Sequence, residues 1–154
     1  MITKKELLII NQLRKNARET LTNISKTTKI PISTIYEKIR ANEKKLIIKH
    51  TALINFSQLG FNARAKIMMK STRDSRDELR SYLMLNENVN SLYKINNGYD
   101  YMIECIFINM KDLEDFLENI DEKFDLEKKE IYYIIDDLKR ETFLSDSQFN
   151  PVFV

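Results

Sequence analysis

The sequence predicts an α+β fold in which an N-terminal winged helix-turn-helix domain precedes a ferredoxin-like βαββαβ domain. Residues 21–48 carry two short helical patterns separated by a proline, and residues 61–135 alternate strand and helix patterns. Between them, at Leu46, the apolar period changes from helical to extended. The predicted boundaries are 1–54 for the first domain, 55–60 for a hinge, 61–140 for the second domain and 141–154 for a C-terminal tail.

The two helical patterns in residues 21–48 have the spacing of a helix-turn-helix. Each places apolar residues three or four positions apart, and Pro31 lies between them. Proline lacks a backbone donor, so it ends the first helix and suits the first position of the second. Ser33 and Thr34 are alternative caps for that second helix.

The second of these helices is the candidate for reading DNA. With Ile35 and Ile39 turned to the core, it presents polar side chains of the types that contact bases and phosphates. Arginine can pair with guanine through two hydrogen bonds, and a carboxylate can accept from cytosine. An ordinary solvated helix face has the same pattern, so both interpretations stay open. The candidate DNA-binding residues are Ser33, Thr34, Tyr36, Glu37, Arg40 and Lys44.

The charge distribution favours the DNA-binding interpretation. Residues 1–50 contain 12 Lys and Arg against 4 Asp and Glu, a net charge of +8, whereas the rest of the chain carries −6. A basic lobe neutralises phosphates, while an acidic lobe is repelled by the duplex. The overall charge of +2 conceals this division.

Composition limits the other classes of function. Cys105 is the only cysteine and His50 the only histidine, so we predict no disulfide, no metal site, no catalytic residues and no cofactor. The N-terminus has no signal-peptide cleavage pattern, and no apolar run is long enough to span a membrane. These features predict a cytoplasmic protein with no membrane partner.

Local patterns predict the remaining elements of the first domain. Thr3 and Glu6 form a capping-box pattern before a helix with an apolar stripe at Ile9, Ile10 and Leu13. Residues 46–54 are apolar and β-branched, which predicts a strand or wing.

The second domain is predicted as four strands and two helices. The strands are expected at 61–69, 89–95, 99–108 and 131–135, with an Asn-Gly turn at 96–98. The first helix is capped by Asp74 or Ser75, and the second by Asn109. In the remaining tail, Phe149 and Phe153 are candidate docking anchors.

Several motifs in this order resemble the Lrp/AsnC family of regulators, over residues 5 to 140. The recognition-helix pattern of the family is matched by Ser33-Thr34-Ile35, Lys38-Ile39 and Asn42-Glu43. The segment after the wing is matched by His50-Thr51-Ala52, and the ligand loop by Tyr99-Asp100-Tyr101. The sequence departs from the family at Lys29, Pro31, Asn42 and Leu46, at the loop pair Asn97-Gly98, and at Lys129 and Ile131.

The resemblance implies a sequence-specific transcription regulator whose second domain is of the RAM type. Its partners would be double-stranded DNA, a second copy in a homodimer or a larger ring such as an octamer, and an amino acid or other small-molecule effector. The effector residues carried over from the family loop are Asn97, Gly98, Tyr99 and Asp100. A nucleoid-like architectural protein remains the alternative, and an enzyme of siroheme-decarboxylase-like architecture is a more distant one.

The ferredoxin-like sheet also predicts how two copies would meet. Both helices pack on one face of the sheet, so the other face is left uncovered for a second subunit. We expect Met69, Tyr93, Tyr101 and Tyr133 on that open face.

Overall fold

The computed structural model describes residues 2–145 of the chain. They form two compact units, one of residues 2–53 with 138–145 and the other of residues 54–137. The predicted domain boundaries at 54, 60 and 140 stay a prediction. Phe149 and Phe153, the predicted docking anchors, lie outside the described residues. Within residues 2–145, no helix combines the length and the apolar composition needed to cross a membrane.

Three helices make up most of the first unit: α1 (Lys4–Lys15), α2 (Leu21–Thr28) and α3 (Ile32–Asn42). The predicted capping box of α1 is confirmed, because the Glu6 amide donates to the Thr3 hydroxyl at 3.2 Å and the Thr3 amide donates to Glu6 Oε2 at 2.7 Å. The Thr3 hydroxyl also donates to Glu6 Oε2 at 2.7 Å. This bond, followed by the one from the Thr3 amide, stabilises the carboxylate and lowers the pKa of Glu6 to about 2. Glu6 therefore stays ionised at the start of α1.

The core of the first unit is made of isoleucines from all three helices and the turn between two of them. Ile9, Ile24 and Ile35 have no exposed surface, and Ile30 is almost fully buried. Half-buried leucines and one isoleucine surround them: Leu8, Leu13, Leu21 and Ile39. The predicted apolar stripe of α1 thus packs on the two helices that follow it.

The turn between α2 and α3 depends on a residue in the left-handed region. Lys29 has φ 60° and ψ 26°, and its amide donates to the Ser25 carbonyl at 2.8 Å. Pro31 then occupies the N-cap of α3, and its carbonyl accepts from the Ile35 amide. Pro31 is thus the N-cap of α3 and not its predicted first residue, and neither Ser33 nor Thr34, the alternative caps, occupies that position.

The predicted strand within residues 46–54 is not formed. After α3, the Asn42 carbonyl accepts from the amides of Lys45, Leu46 and Ile47 at 2.8–3.1 Å, which closes the helix with tight turns. The following residues form no strand, and Ile48 is 98% exposed. Apolar, β-branched composition is not sufficient for a strand where no neighbouring strand supplies hydrogen bonds.

The segment 138–145 belongs to the first unit through contacts with α1. Arg14 donates from Nε to the Phe143 carbonyl and from Nη2 to the Glu141 carbonyl, both at 3.0 Å. Arg14 Nη2 also pairs with the Glu141 carboxylate at 3.1 Å. This arginine is therefore engaged within the protein, although the sequence groups it with the basic residues of α1.

The second unit has the predicted βαββαβ order and begins with a short 3₁₀ helix at Phe56–Leu59. Its sheet is antiparallel with strand order β2-β3-β1-β4, which confirms the ferredoxin-like part of the fold. The elements are β1 (Ala63–Ser71), α4 (Arg76–Leu85), β2 (Val89–Lys94), β3 (Tyr101–Phe107), α5 (Met110–Lys123) and β4 (Leu126–Tyr133).

The last strand begins five residues before its predicted start at 131. Its first half is Leu126-Glu127-Lys128-Lys129-Glu130, which is too polar to show an apolar alternation. It is an edge strand that pairs only with β1, where Lys129 lies opposite Met69. Lysine and glutamate are common on such edges because they discourage pairing with further strands.

Helices α4 and α5 pack on one face of this sheet. Alternate residues of β1, such as Ala65, Ile67 and Met69, are fully buried together with Leu79 of α4 and Leu113 of α5. Asn109 caps α5 as predicted, since its side-chain oxygen accepts from the Asp112 amide at 2.9 Å. The period of two in β1 therefore decides which side chains face the helices and which face away.

The strand register corrects the predicted composition of the open face. Met69 lies opposite Tyr101, and Ala65 lies opposite Tyr133, so both tyrosines are on the helix-covered face with the core alanines and methionine. Tyr133 accordingly donates to Glu114 of α5 at 2.9 Å. Only Tyr93 of the four predicted residues is on the open face, where Met102 is its neighbour.

We expect Lys29→Gly to raise the free energy of unfolding by ~1 kcal/mol or less. A side chain in the left-handed region costs about 1–2 kcal/mol, and glycine removes this cost. The greater flexibility of glycine in the unfolded chain offsets part of the stability gained in this way. Lys29→Ala is the matched control, because it removes the same charge and keeps Cβ. Denaturant unfolding of the full chain, followed by circular dichroism, compares the variants. If the two are equally stable, the strain at this turn is not significant.

Candidate nucleic-acid interface and effector loop

The orientation of α3 is fixed by its buried side. Ile35 has no exposed surface and contacts the isoleucine core, while Ile39 is half-buried beside it. Lys38 reaches across to α1, where Nζ lies 3.1 Å from Glu6 Oε1. The apolar contacts and this ion pair hold α3 against α1 and turn the opposite side of the helix to solvent.

Most of the predicted DNA-binding residues lie on that solvent side. Ser33, Tyr36, Glu37 and Arg40 are exposed on α3, and Thr34 is half-buried at its edge. Lys44 is exposed as well, but it lies beyond the last residue of the helix. The structure thus brings four of the six onto one exposed helix face.

Tyr36 and Arg40 are in direct contact on this face. Arg40 Nη1 donates to the Tyr36 hydroxyl at 3.0 Å, and the guanidinium carbon lies 5.7 Å from the centre of the ring. The two residues are four positions apart, which is the spacing of neighbours on a helix surface. Both residues are among the predicted DNA contacts, and their spacing in the sequence is already that of a neighbouring pair.

Ile32 is an exposed apolar residue that the sequence analysis missed. It is the first residue of α3 and is 46% exposed. It precedes Tyr36 and Arg40 at intervals of four, so the three side chains form one row along the helix. An isoleucine in this place has the chemistry to contact a thymine methyl group.

The predicted effector loop is a tight hairpin between β2 and β3. Asn97 and Gly98 both have positive φ, 61° and 82°, as the Asn-Gly sequence predicts for this turn. Both residues are exposed. Tyr99 and Asp100 instead turn into the protein, so the four predicted effector residues do not form one cluster.

The Asp100 carboxylate is already bound by neighbouring groups. Its Oδ2 accepts from the Ser71 amide at 3.1 Å, and its Oδ1 pairs with Arg76 Nη2 at 3.1 Å. Ser71 ends β1 and is fully buried, while Arg76 is the first residue of α4. Asp100, which immediately precedes β3, therefore links the start of that strand to the end of β1 and the start of α4.

Tyr99 joins a polar cluster with β4 that the sequence analysis did not identify. Its hydroxyl donates to Glu130, and Lys128 Nζ lies 4.3 Å from the centre of its ring. Tyr132 donates to the other oxygen of Glu130 at 2.6 Å. The hydrogen bonds from Tyr132 and Tyr99 lower the pKa of Glu130, so this carboxylate stays ionised.

Cys105 has the environment of a structural residue rather than a nucleophile. Its side chain is fully buried on β3, and burial raises the pKa of the thiol to about 12. A thiol with such a pKa holds almost no thiolate at neutral pH. This residue offers no nucleophile to an enzyme of this fold.

Comparison with known proteins finds a matching family and similar regulators. The family model of the Lrp/AsnC ligand binding domain matches residues 63–144. The HTH-type transcriptional regulator FL11 of Pyrococcus furiosus is 33% identical over 113 residues, which are 73% of this chain and 75% of that protein. The FL11 protein of Pyrococcus abyssi shows the same identity and coverage.

Solved structures share the fold over nearly the whole chain. The transcriptional regulator NMB0573 of Neisseria meningitidis, solved as a complex with L-Met, has a TM-score of 0.83 at 16% identity and covers 91% of this chain and 94% of its own. LrpC of B. subtilis has a TM-score of 0.81 at 18% identity and covers 90% and 98%. At these identities the likeness shows the fold alone.

Proposed function

The chain belongs to the Lrp/AsnC family of transcription regulators, and from that premise we propose that the exposed face of α3 enters the major groove of DNA. The burial of Ile35 supports this proposal, because it leaves the polar side of the helix free for a ligand. The residues assigned to the contact are Ser33, Thr34, Tyr36, Glu37, Arg40 and Lys44.

The charge of the N-terminal region supports the same assignment. The net charge of +8 in residues 1–50 neutralises phosphates, whereas the remaining residues carry −6. We also infer that DNA binding, and not catalysis, is the activity of the chain. The family is one of regulators, and the buried Cys105 thiol supplies no nucleophile.

We expect Arg40→Ala to weaken binding of the full chain to its preferred DNA by ~1–3 kcal/mol, which is the contribution of an arginine that reads a guanine. The preferred duplex is first selected from a random pool, and its affinity is then compared with that of a scrambled duplex. Fluorescence anisotropy over a series of salt concentrations measures both, and each affinity should fall log-linearly with salt.

Arg80→Ala is the matched control for this experiment. Arg80 is an exposed arginine of α4 in the second unit, and its removal should leave DNA affinity unchanged. Equal loss of affinity in both variants would contradict the assignment of α3. Equal affinity of the wild-type chain for selected and scrambled duplexes would instead indicate an architectural protein that coats DNA.

We further propose that the open face of the sheet joins a second copy of the chain in a homodimer. Tyr93, Met102 and Met68 are neighbours across three adjacent strands, and Met68 and Met102 are half-buried. An apolar row bounded by charged residues suits an interface between subunits that must also stay in solution when they are apart. A twofold pair predicts that the preferred DNA site is an inverted repeat.

A charge in the middle of this row should prevent the pairing. We expect Met68→Glu to convert the dimer into a monomer at micromolar concentration, because an unpaired carboxylate would be buried at the interface. Light scattering measures the mass, and circular dichroism establishes that the variant is folded. Arg80→Glu introduces the same residue on the outer side of α4 and should remain dimeric. A wild-type monomer at this concentration would contradict the proposal.

For the effector, we propose that common amino acids bind this chain weakly or not at all. The carboxylate that would meet an ammonium group is Asp100, and it is bound by Ser71 and Arg76. An amino acid would have to displace these contacts, and that cost weakens binding. The loop residues Asn97 and Gly98 offer only exposed backbone groups.

Calorimetric titration of the full chain with each of the twenty amino acids tests this proposal. We expect no dissociation constant below ~1 mM, which corresponds to about −4 kcal/mol of binding free energy. A micromolar dissociation constant for any one of these amino acids would overturn it. Loss of that affinity in Asp100→Asn, but not in Glu87→Gln, would then place the site at Asp100. Glu87 is an exposed carboxylate after α4 and serves as the control.

A further inference from the structure

The contact between Tyr36 and Arg40 has no evident role in the packing of the first unit. Tyr36 is 50% exposed and Arg40 is exposed, and α3 packs through Ile35 on its other side. Nevertheless, the arginine is bound twice, by a 3.0 Å hydrogen bond to the hydroxyl and by the face of the ring. The pair therefore orders a side chain that would otherwise move freely in solvent.

The hydrogen bond uses one end of the guanidinium and leaves the other end available. Arginine has five N–H donors in a planar fork, and the bond to Tyr36 comes from Nη1. Nε and Nη2 remain as an adjacent pair of donors. Two parallel donors match the O6 and N7 acceptors that guanine presents in the major groove.

Ordering the arginine before it binds has a direct consequence for recognition. A free arginine side chain loses rotamer freedom when it is fixed against a base, and this loss weakens the contact. If the side chain is already held by Tyr36, less freedom is lost on binding. Ordering the arginine beforehand therefore strengthens a contact to a base, which requires one geometry. It strengthens a contact to a phosphate much less, because a phosphate accepts hydrogen bonds from many directions.

We propose that Tyr36 is a positioning residue that holds Arg40 for the recognition of a guanine in the preferred DNA site. The inference rests on the proposed entry of α3 into the major groove and adds the base that is read and the residue that prepares the reader. Tyr36 holds Arg40 through two groups, its hydroxyl and its ring. One substitution can remove the hydroxyl alone and another can remove both groups.

The test uses the full chain and the duplex selected from a random pool. Each guanine in turn is replaced by 7-deazaguanine, which lacks the N7 acceptor and leaves base pairing intact. At one position we expect the wild-type chain to lose about tenfold in affinity, equivalent to ~1.4 kcal/mol. The Arg40→Ala variant should show no such loss at that position.

Two substitutions then separate the parts of Tyr36. Tyr36→Leu removes both contacts. In this variant, the loss of affinity caused by 7-deazaguanine should be about three- to tenfold smaller than in the wild-type chain. Tyr36→Phe keeps the ring and removes the hydroxyl, so it should give an intermediate value. Neither should change the salt dependence of binding, because no phosphate contact is lost. Circular dichroism should show both variants folded, since Tyr36 is not in the core.

Different outcomes separate failure of this inference from failure of the proposed interface. Full sensitivity to 7-deazaguanine in Tyr36→Leu would overturn the positioning role. A uniform loss of affinity for every duplex in Arg40→Ala, with a salt slope lower by about one, would identify a phosphate contact and overturn the inference. If substitutions of Ser33, Glu37 and Arg40 all leave binding unchanged, α3 does not contact DNA, and the proposed function fails with it.

Discussion

The burial of Ile35 against Ile9, Ile24 and Ile30 is the constraint that governs the exposed face of the first unit. A helix of 3.6 residues per turn cannot bury one side without exposing the other. Once Ile35 is fixed in the core, the opposite side chains must lie in solvent, whatever their identity. The ion pair between Lys38 and Glu6 adds a second connection to α1 and limits rotation of α3 about its axis.

The second unit obeys the same constraint with a period of two. Ile67 and Met69 face the helices, so Met68 between them and Lys66 before them must face away. Because paired residues of adjacent strands share a face, the register places Met102 beside Met68 on the open side. An open face with a central apolar row and charged residues around it follows from the strand alternation.

Internal hydrogen bonds determine what the hairpin loop can offer a ligand. The backbone of Asn97 and Gly98 must adopt positive φ to close the turn, and this leaves both residues in solvent. The next two residues, Tyr99 and Asp100, have polar groups that are buried enough to need partners, and they find them on β4, β1 and α4. An effector that used these two residues would have to displace their contacts within the fold.

The sequence by itself determined the elements whose causes are local. The capping box of Thr3 and Glu6, the Asn-Gly turn and the Asn109 cap depend on residues at most a few positions apart. The same holds for the buried side of α3 and the alternation of β1, which follow from periodicity.

Only the tertiary structure decided the unpaired segment 46–54, the early start of β4 and the partners of Arg14 and Asp100. Each of these depends on groups distant in the chain: Phe143 lies 129 residues from Arg14, and Ser71 lies 29 from Asp100. Periodicity shows which way a side chain faces, but the group it meets there is set by how distant segments pack.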